Sequence, residues 1–329
     1  MSEHNLGASK SDTKFSASDE QVNPIQPGGP LPDHMLWETS VDQNDPSIEL
    51  GITTPDGDYF PFDHGESLIM IMMADGQRQP FVRLKSGQEV RFESWRLSRR
   101  QEFAEVLDNV DEDYKAAYLA ALEDFPHLDQ MQVELATSQQ YPNLKYTGGF
   151  WRKPQSDADA PKIVVIMGQN GLYEQLLIDR ELSARKSAEI IGIDFEVMKE
   201  HPNILKLFIF LHEIGHVEDY ITNFRKKSEL DGSDPVQAKR EKRNREMVTL
   251  PIPGVSPDLA RRMYDSGELQ TYYAKYQQNY QRIRGLMSVE ELLDANEIAY
   301  HELPSERYAD QRAGEILRKH WNVLINHTK

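Results

Sequence analysis

The chain has 329 residues and no cysteine. Disulfides are therefore excluded, as is any metal site built on thiolates, which leaves histidine and carboxylate as the strong ligands available. Long apolar runs are missing too: no segment reaches the roughly 20 residues a helix needs to cross a bilayer. The opening stretch MSEHNLGASKSDTKFSASDEQ has neither the basic start nor the apolar core of a secretory signal, so a soluble, cytoplasmic protein with no membrane partner is expected. Positive charge is in deficit. A formal net charge of −17 and a pI near 5.1 argue against nucleic acid as a partner, because phosphate backbones are bound by an excess of Lys and Arg.

Composition divides what is present. Residues 1–33 are rich in Ser, Asp, Asn, Gly and Pro and carry too little apolar surface to offset chain entropy, so a disordered tail is expected. Residues 34–160 are expected to be a β-containing region. IELGITTPDGDYF alternates apolar and polar residues around Asp56-Gly57, and FVRLKSGQEVRFESW does so around Ser86-Gly87; both patterns predict hairpins. SLIMIMMAD (67–75) predicts a buried strand, with its methionines as core filler. In residues 99–125, Phe103, Val106, Leu107, Val110, Tyr114 and Tyr118 recur near helical spacing before Pro126, which predicts one or two amphipathic helices.

From residue 161 to 329 a mostly helical domain is expected, entered through a buried strand, KIVVIM (162–167). Helical patterns cover 256–286, 288–300 and 304–321. Residues 225–247, RKKSELDGSDPVQAKREKRNREM, read as a charged, solvated loop or a frayed helix. Lys239, Arg240, Lys242, Arg243 and Arg245 alternate there with Glu241 and Glu246, the pattern of a solvated face rather than of a polyanion site. The fold class expected from these elements is α+β.

One apolar helical run breaks its own rule. FIFLHEIGHVEDYI (208–221) places two histidines and a glutamate where unpaired polar groups are costly to bury. His212 and His216 are four residues apart, so they lie one helical turn apart on the same face and can offer both imidazoles to one ion. Glu213 sits about 100° around the helix from His212, in reach of a water on that ion but unable to ligate beside both rings. The arrangement suits a zinc site in which Glu213 is the general base for peptide hydrolysis.

A catalytic zinc takes three protein ligands and leaves the fourth place to water. The expected third ligand is Glu306, in SERYADQRA, where Ala309 and Ala313 are small enough to let this helix approach the HEIGH helix. Asp310, one turn beyond Glu306, is expected to accept the free ring N–H of a ligating histidine, His212 being favoured. Asp219, Glu297 and Glu302 are weaker rivals: Asp219 points past the ion on a straight helix, Glu297 lacks an acid four residues on, and Glu302 precedes Pro304. Tyr220, Tyr300, His301 and Arg307 are candidates to donate to a developing oxyanion.

His212-Glu213-x-x-His216 followed by Glu306-x-x-Ala309-Asp310 resembles the gluzincin zinc metallopeptidases, whose second motif is a helical ExxA[D/N]. The phrasing is also similar to that of the ImmA/IrrE-like intracellular peptidases, although the stretch between the motifs is longer here than in compact members. The resemblance implies a zincin-like catalytic domain with one zinc held by His212, His216 and Glu306, Glu213 as base, and the trailing acid orienting a ligand. It covers about residues 204–221 and 304–318 only. The expected function is that of a zinc-dependent endopeptidase acting on peptides or proteins. The alternative is a binding or scaffold protein that keeps the fold without turnover.

Overall fold

Alternation of apolar and polar side chains builds two small antiparallel sheets at the start of the ordered chain. β1 (Glu38–Val41), β2 (Glu49–Thr53) and β3 (Tyr59–Pro61) form one, and β4 (Ser67–Met72), β5 (Arg78–Arg83) and β6 (Glu89–Arg91) the other. The computed structural model describes residues 37–41, 45, 47–55, 58–137, 140, 149–152, 160–167, 171–279 and 288–325. The tail expected to be disordered and the Asp56-Gly57 turn lie outside these residues. At the Ser86-Gly87 turn the hairpin forms as expected, with Gly87 at φ 82°, a conformation that glycine adopts without strain. The two sheets share a core of Ile52, Phe60, Phe62, Val82, Phe92 and Trp95.

β4 is a strand, but it is not buried as expected. Leu68 packs against the small core, whereas Met70 and Met72, on the same face by the two-residue period, are 39% and 58% exposed. The strand runs past the core that covers its first half, and the two methionines fill nothing. Helix α1 (Phe92–Asp108) begins earlier than the expected 99, because Phe92 and Trp95 turn into that core at helical spacing. α2 (Glu112–Asp124) is capped by Asp111, whose side chain accepts from the backbone N–H of Asp113, and Pro126 opens a 3-10 turn after it.

A third sheet, ordered β7-β9-β8, joins β7 (Gln132–Thr137), β8 (Gly149–Arg152) and β9 (Lys162–Met167). β9 runs parallel to β7 and antiparallel to β8, which leaves β8 at the edge. The division expected at 160/161 runs through this sheet, since two of its strands precede it and one follows. Helices dominate the rest of the α+β chain: α3 (Leu172–Asp179), α4 (Glu181–Ile191), α5 (Phe195–Glu200), α6 (Asn203–Tyr220), α7 (Lys226–Asp231), α8 (Pro235–Met247), α9 (Pro257–Asp265), α10 (Glu268–Asn279), α11 (Val289–His301), α12 (Pro304–Lys319) and α13 (Trp321–Leu324). Among the described residues none is long and apolar enough to cross a membrane.

α6 is the axis of the main core. Ile204, Leu205, Leu207, Phe208, Phe210 and Leu211 bury every side of its first half, as a helix without a solvent face must. α12 lies against it so closely that a Cβ on Gly215 would sit 2.8 Å from Cα of Ala309. Ala309 and Ala313 are fully buried, which is the close approach their size predicts.

Residues 225–247 differ from expectation. Of the two expected forms they take the helical one, α7 and α8 following a π-helical turn (Ile221–Arg225), but not as a wholly solvated face. Asp234 caps α8 by accepting from Gln237 N–H, and Pro235 occupies the first turn, where a missing N–H costs nothing. Arg240 and Arg245 are exposed, but Lys239 is only 5% exposed and Arg243 reaches inward from the same face.

Candidate metal centre

α6 and α12 bring the two motifs together. His212 and His216 stand one turn apart with ring centroids 4.7 Å from each other and planes at 88°, and both turn Nε2 toward Glu306. Nε2 of His212 is 3.3 Å and Nε2 of His216 is 3.5 Å from Oε2 of that carboxylate. A tetrahedron with metal–ligand bonds of about 2.0–2.1 Å has edges of about 3.3–3.4 Å, so these spacings match those of ligands around one small cation. The three donor atoms lie within 4.8 Å of one another, and no other such group of three or more His, Asp and Glu occurs among the described residues. Two imidazoles and one carboxylate, without thiolate, form a donor set that suits zinc.

The electrostatics have the same cause. Burial works against charge on Glu306, yet the two adjacent imidazoles hold its carboxyl well below the usual carboxylate range. His212 shows the complement: burial opposes its protonation, but the Asp310 carboxylate outweighs that and raises the ring well above the ordinary histidine value. Asp310 itself is held at about 2, its burial overcome by His212 and His301. A proton on His212 thus fills the positive role that a cation would take, and a metal that binds there must displace it.

Asp310 lies beside the ring of His212. Its Oδ1 lies 2.7 Å from Nδ1 of His212, which fixes Nε2 of that ring as the atom facing Glu306. Its Oδ2 contacts Nδ1 of His301 at 3.1 Å, and Nε2 of His301 lies 2.8 Å from Oγ of Ser183. Ser183, His301 and Asp310 follow the order of a nucleophilic triad, but the Ser183 hydroxyl donates to Glu297 at 2.5 Å, so its hydrogen is not His301's to remove. His216 is less complete: its Nδ1 is buried without a partner among the described residues.

Glu213 faces a cavity of about 390 Å³ whose apolar wall is Leu176, Ala184, Leu205, Phe208 and Ile209. Burial pushes its carboxyl upward against the pull of both imidazoles. One of its oxygens accepts from the backbone N–H of Trp151 on β8 at 2.8 Å, and the Trp151 ring is stacked with that of His216, 5.8 Å between centroids at 26°. Nothing in the sequence around Trp151 marks it as part of a site.

The rivals for the third ligand are engaged elsewhere. Asp219 pairs with Lys239 and accepts from Asn223 at 2.9 Å. Glu297 accepts from Arg180 at 3.1 Å, and Glu302 lies at the surface near Arg307. Among the oxyanion candidates, Tyr220 is buried next to Trp151 and outside the cavity lining, Arg307 is largely exposed, and both ring nitrogens of His301 are taken. Tyr300 lines the cavity and accepts from Nη2 of Arg243 at 2.5 Å. Its own phenolic hydrogen meets no acceptor among the described residues, because the arginine contact uses only an oxygen lone pair.

Arg243 is the residue that the sequence reading missed. It donates from Nη1 to Oε1 of Glu306 at 2.6 Å and to Oγ of Ser305 at 3.1 Å. A signal was present: Val236, Lys239, Arg243 and Glu246 recur at helical spacing after an Asp-Pro start, and all four turn inward. Compared with known proteins, the chain matches no family model, no curated protein and no solved structure.

Proposed function

We propose that the protein is a zinc-dependent peptide hydrolase of the gluzincin kind, soluble and cytoplasmic, with a zincin-like arrangement of α6 and α12. The observation that carries this reading is that Nε2 of His212 and Nε2 of His216 lie 3.3 and 3.5 Å from the same Glu306 oxygen, the separation of neighbouring ligands on one small cation. Those three residues would hold the ion, and zinc bound there would supply Lewis-acid activation of water. Glu213 would act as the general base, taking a proton from the attacking water and returning one to the leaving amine. Burial moves its carboxyl upward, the direction that strengthens a carboxylate as a base. Tyr300 donates its free phenolic hydrogen to the carbonyl oxygen of the scissile bond. The apolar wall of the cavity accommodates an aliphatic or aromatic substrate side chain.

One observation favours a second reading, a scaffold that keeps the metal without turnover. An oxygen of Glu213 is already occupied by the Trp151 N–H. Two measurements decide between them: elemental zinc in the wild type, His212→Ala and Glu306→Ala, and cleavage of a mixed peptide library by the wild type and Glu213→Gln. The peptidase reading expects stoichiometric zinc only in the wild type, and cleavage that Glu213→Gln abolishes while retaining the metal. Zinc without any cleavage leaves the scaffold, and a zinc-free wild type removes both.

A further inference from the structure

We infer that Arg243 is a positioning residue that confines Glu306 to ligation through a single oxygen; the inference rests on the zinc reading above. A carboxylate can offer a small cation one oxygen or both. If Glu306 offered both, two imidazoles and two oxygens would fill four positions, and water would be excluded or forced into a fifth. The geometry separates the two oxygens. Oε2 faces the imidazoles at 3.3 and 3.5 Å, while Oε1 is turned away into a hydrogen bond of 2.6 Å from Arg243.

The guanidinium is itself held from several sides. Nη2 donates to Tyr300, the central carbon lies 5.0 Å from the centroid of the Tyr300 ring, and Nη1 also reaches Ser305. Ser305 in turn donates to Glu246, which lies one turn beyond Arg243 on α8. α8 therefore grips the first turn of α12 through two of its residues. A planar fork sends separate N–H groups to the carboxylate oxygen, Ser305 and the phenol in fixed directions, an orientation that the single nitrogen of lysine does not reproduce. A residue present only to neutralise the buried Glu306 would not need the fork, and that difference makes the inference testable.

The experiment uses the full chain and the metals alone. Zinc affinity is measured by competition with a chromophoric chelator, and coordination is read from the visible absorption of the Co²⁺-loaded protein, for wild type, Arg243→Gln, Arg243→Lys and, as a control on the exposed side of α8, Arg240→Ala. The wild type and Arg240→Ala are expected to show the intense absorption of four-coordinate cobalt. Both Arg243 variants are expected to show the weaker absorption of five-coordination and zinc affinity lowered roughly 10- to 100-fold, as for other residues that orient metal ligands. Circular dichroism establishes that each variant is folded; should Arg243→Gln fail there, Arg243→Lys, which keeps the charge, carries the test. Wild-type spectra and zinc affinity in folded Arg243→Lys would overturn the inference, because charge alone would then suffice. A wild type that takes up no stoichiometric metal overturns the zinc reading and this inference together, whereas a metal-loaded wild type indistinguishable from both variants overturns this inference alone.

Discussion

Gly215 is the place where one added methyl group should do the most damage at the centre. It lies inside the HEIGH motif but touches no ligand. Its consequence is steric: a Cβ there meets Cα, O and Cβ of Ala309 at 2.8, 3.1 and 3.3 Å, against an optimum near 3.5–4.0 Å between carbon atoms. For Gly215→Ala, α12 must therefore withdraw by about 1 Å, and Glu306 sits on the same helix less than one turn before Ala309. Metal sites tolerate departures of only about 0.2 Å from ideal bond lengths. Effects on folding partly cancel. Overpacking costs about 1–3 kcal/mol, whereas alanine in a helix interior is favoured over glycine by about 1 kcal/mol. The apoprotein should thus lose at most about 2 kcal/mol, while zinc affinity drops by roughly 10- to 100-fold. Urea unfolding of the apoprotein and chelator competition for zinc measure the two effects separately. Trimming Ala309 to glycine in the same chain should restore little, since two of the three nearest atoms are backbone. Wild-type zinc affinity in Gly215→Ala would refute the argument that the helix approach sets the ligand geometry.

Other perturbations have equally direct outcomes. Asp310→Asn keeps the shape next to His212 but removes the charge that orients it, and zinc affinity should fall about 10- to 100-fold in a chelator titration, with secondary structure unchanged by circular dichroism. Arg180→Met leaves Glu297, a buried carboxylate, without its cation, which should cost about 3 kcal/mol at neutral pH by urea unfolding. The pH dependence follows from Glu297: burial alone would raise its carboxyl, but Arg180 and Ser183 hold it below the usual range. The stabilisation is therefore complete above about pH 4.3, the ordinary unfolded value, and is lost as pH falls through the lower folded value. Wild-type stability should accordingly decline more steeply than that of Arg180→Met below about pH 4.3; parallel declines would refute the assignment. Asp234→Ala removes the cap of α8 and should lower unfolding free energy by about 1 kcal/mol, read from the urea midpoint.

The sequence made the cluster of His212, His216 and Glu306 legible because each member rests on one periodicity. Four-residue spacing put His212 and His216 on a common face, and small residues at Ala309 and Ala313 showed which side of α12 turns inward. The same logic placed Asp310 against His212. Arg243 stayed hidden because a helix rich in Lys, Arg and Glu looks identical whether its charges face water or paired partners, and only the partners on α11 and α12 distinguish the two. Trp151 was invisible for a different reason. Its contribution to the site is a backbone N–H as much as an indole, and any residue but proline carries that donor. In the N-terminal region the strands follow from alternation, but alternation cannot tell how far the covering core extends, so the pattern predicts burial for Met70 and Met72 where the structure leaves them exposed.

The stacking of Trp151 on His216 gives the molecule a native optical reporter. Of its four tryptophans, Trp37 and Trp95 belong to the small N-terminal core and Trp321 packs near the end of the chain, so Trp151 is the one that lines the cavity. Indole emission is sensitive to charge on a neighbouring ring. Arrival of a cation at His216 should therefore shift its intensity in unlabelled protein, and Trp151→Phe should silence the signal.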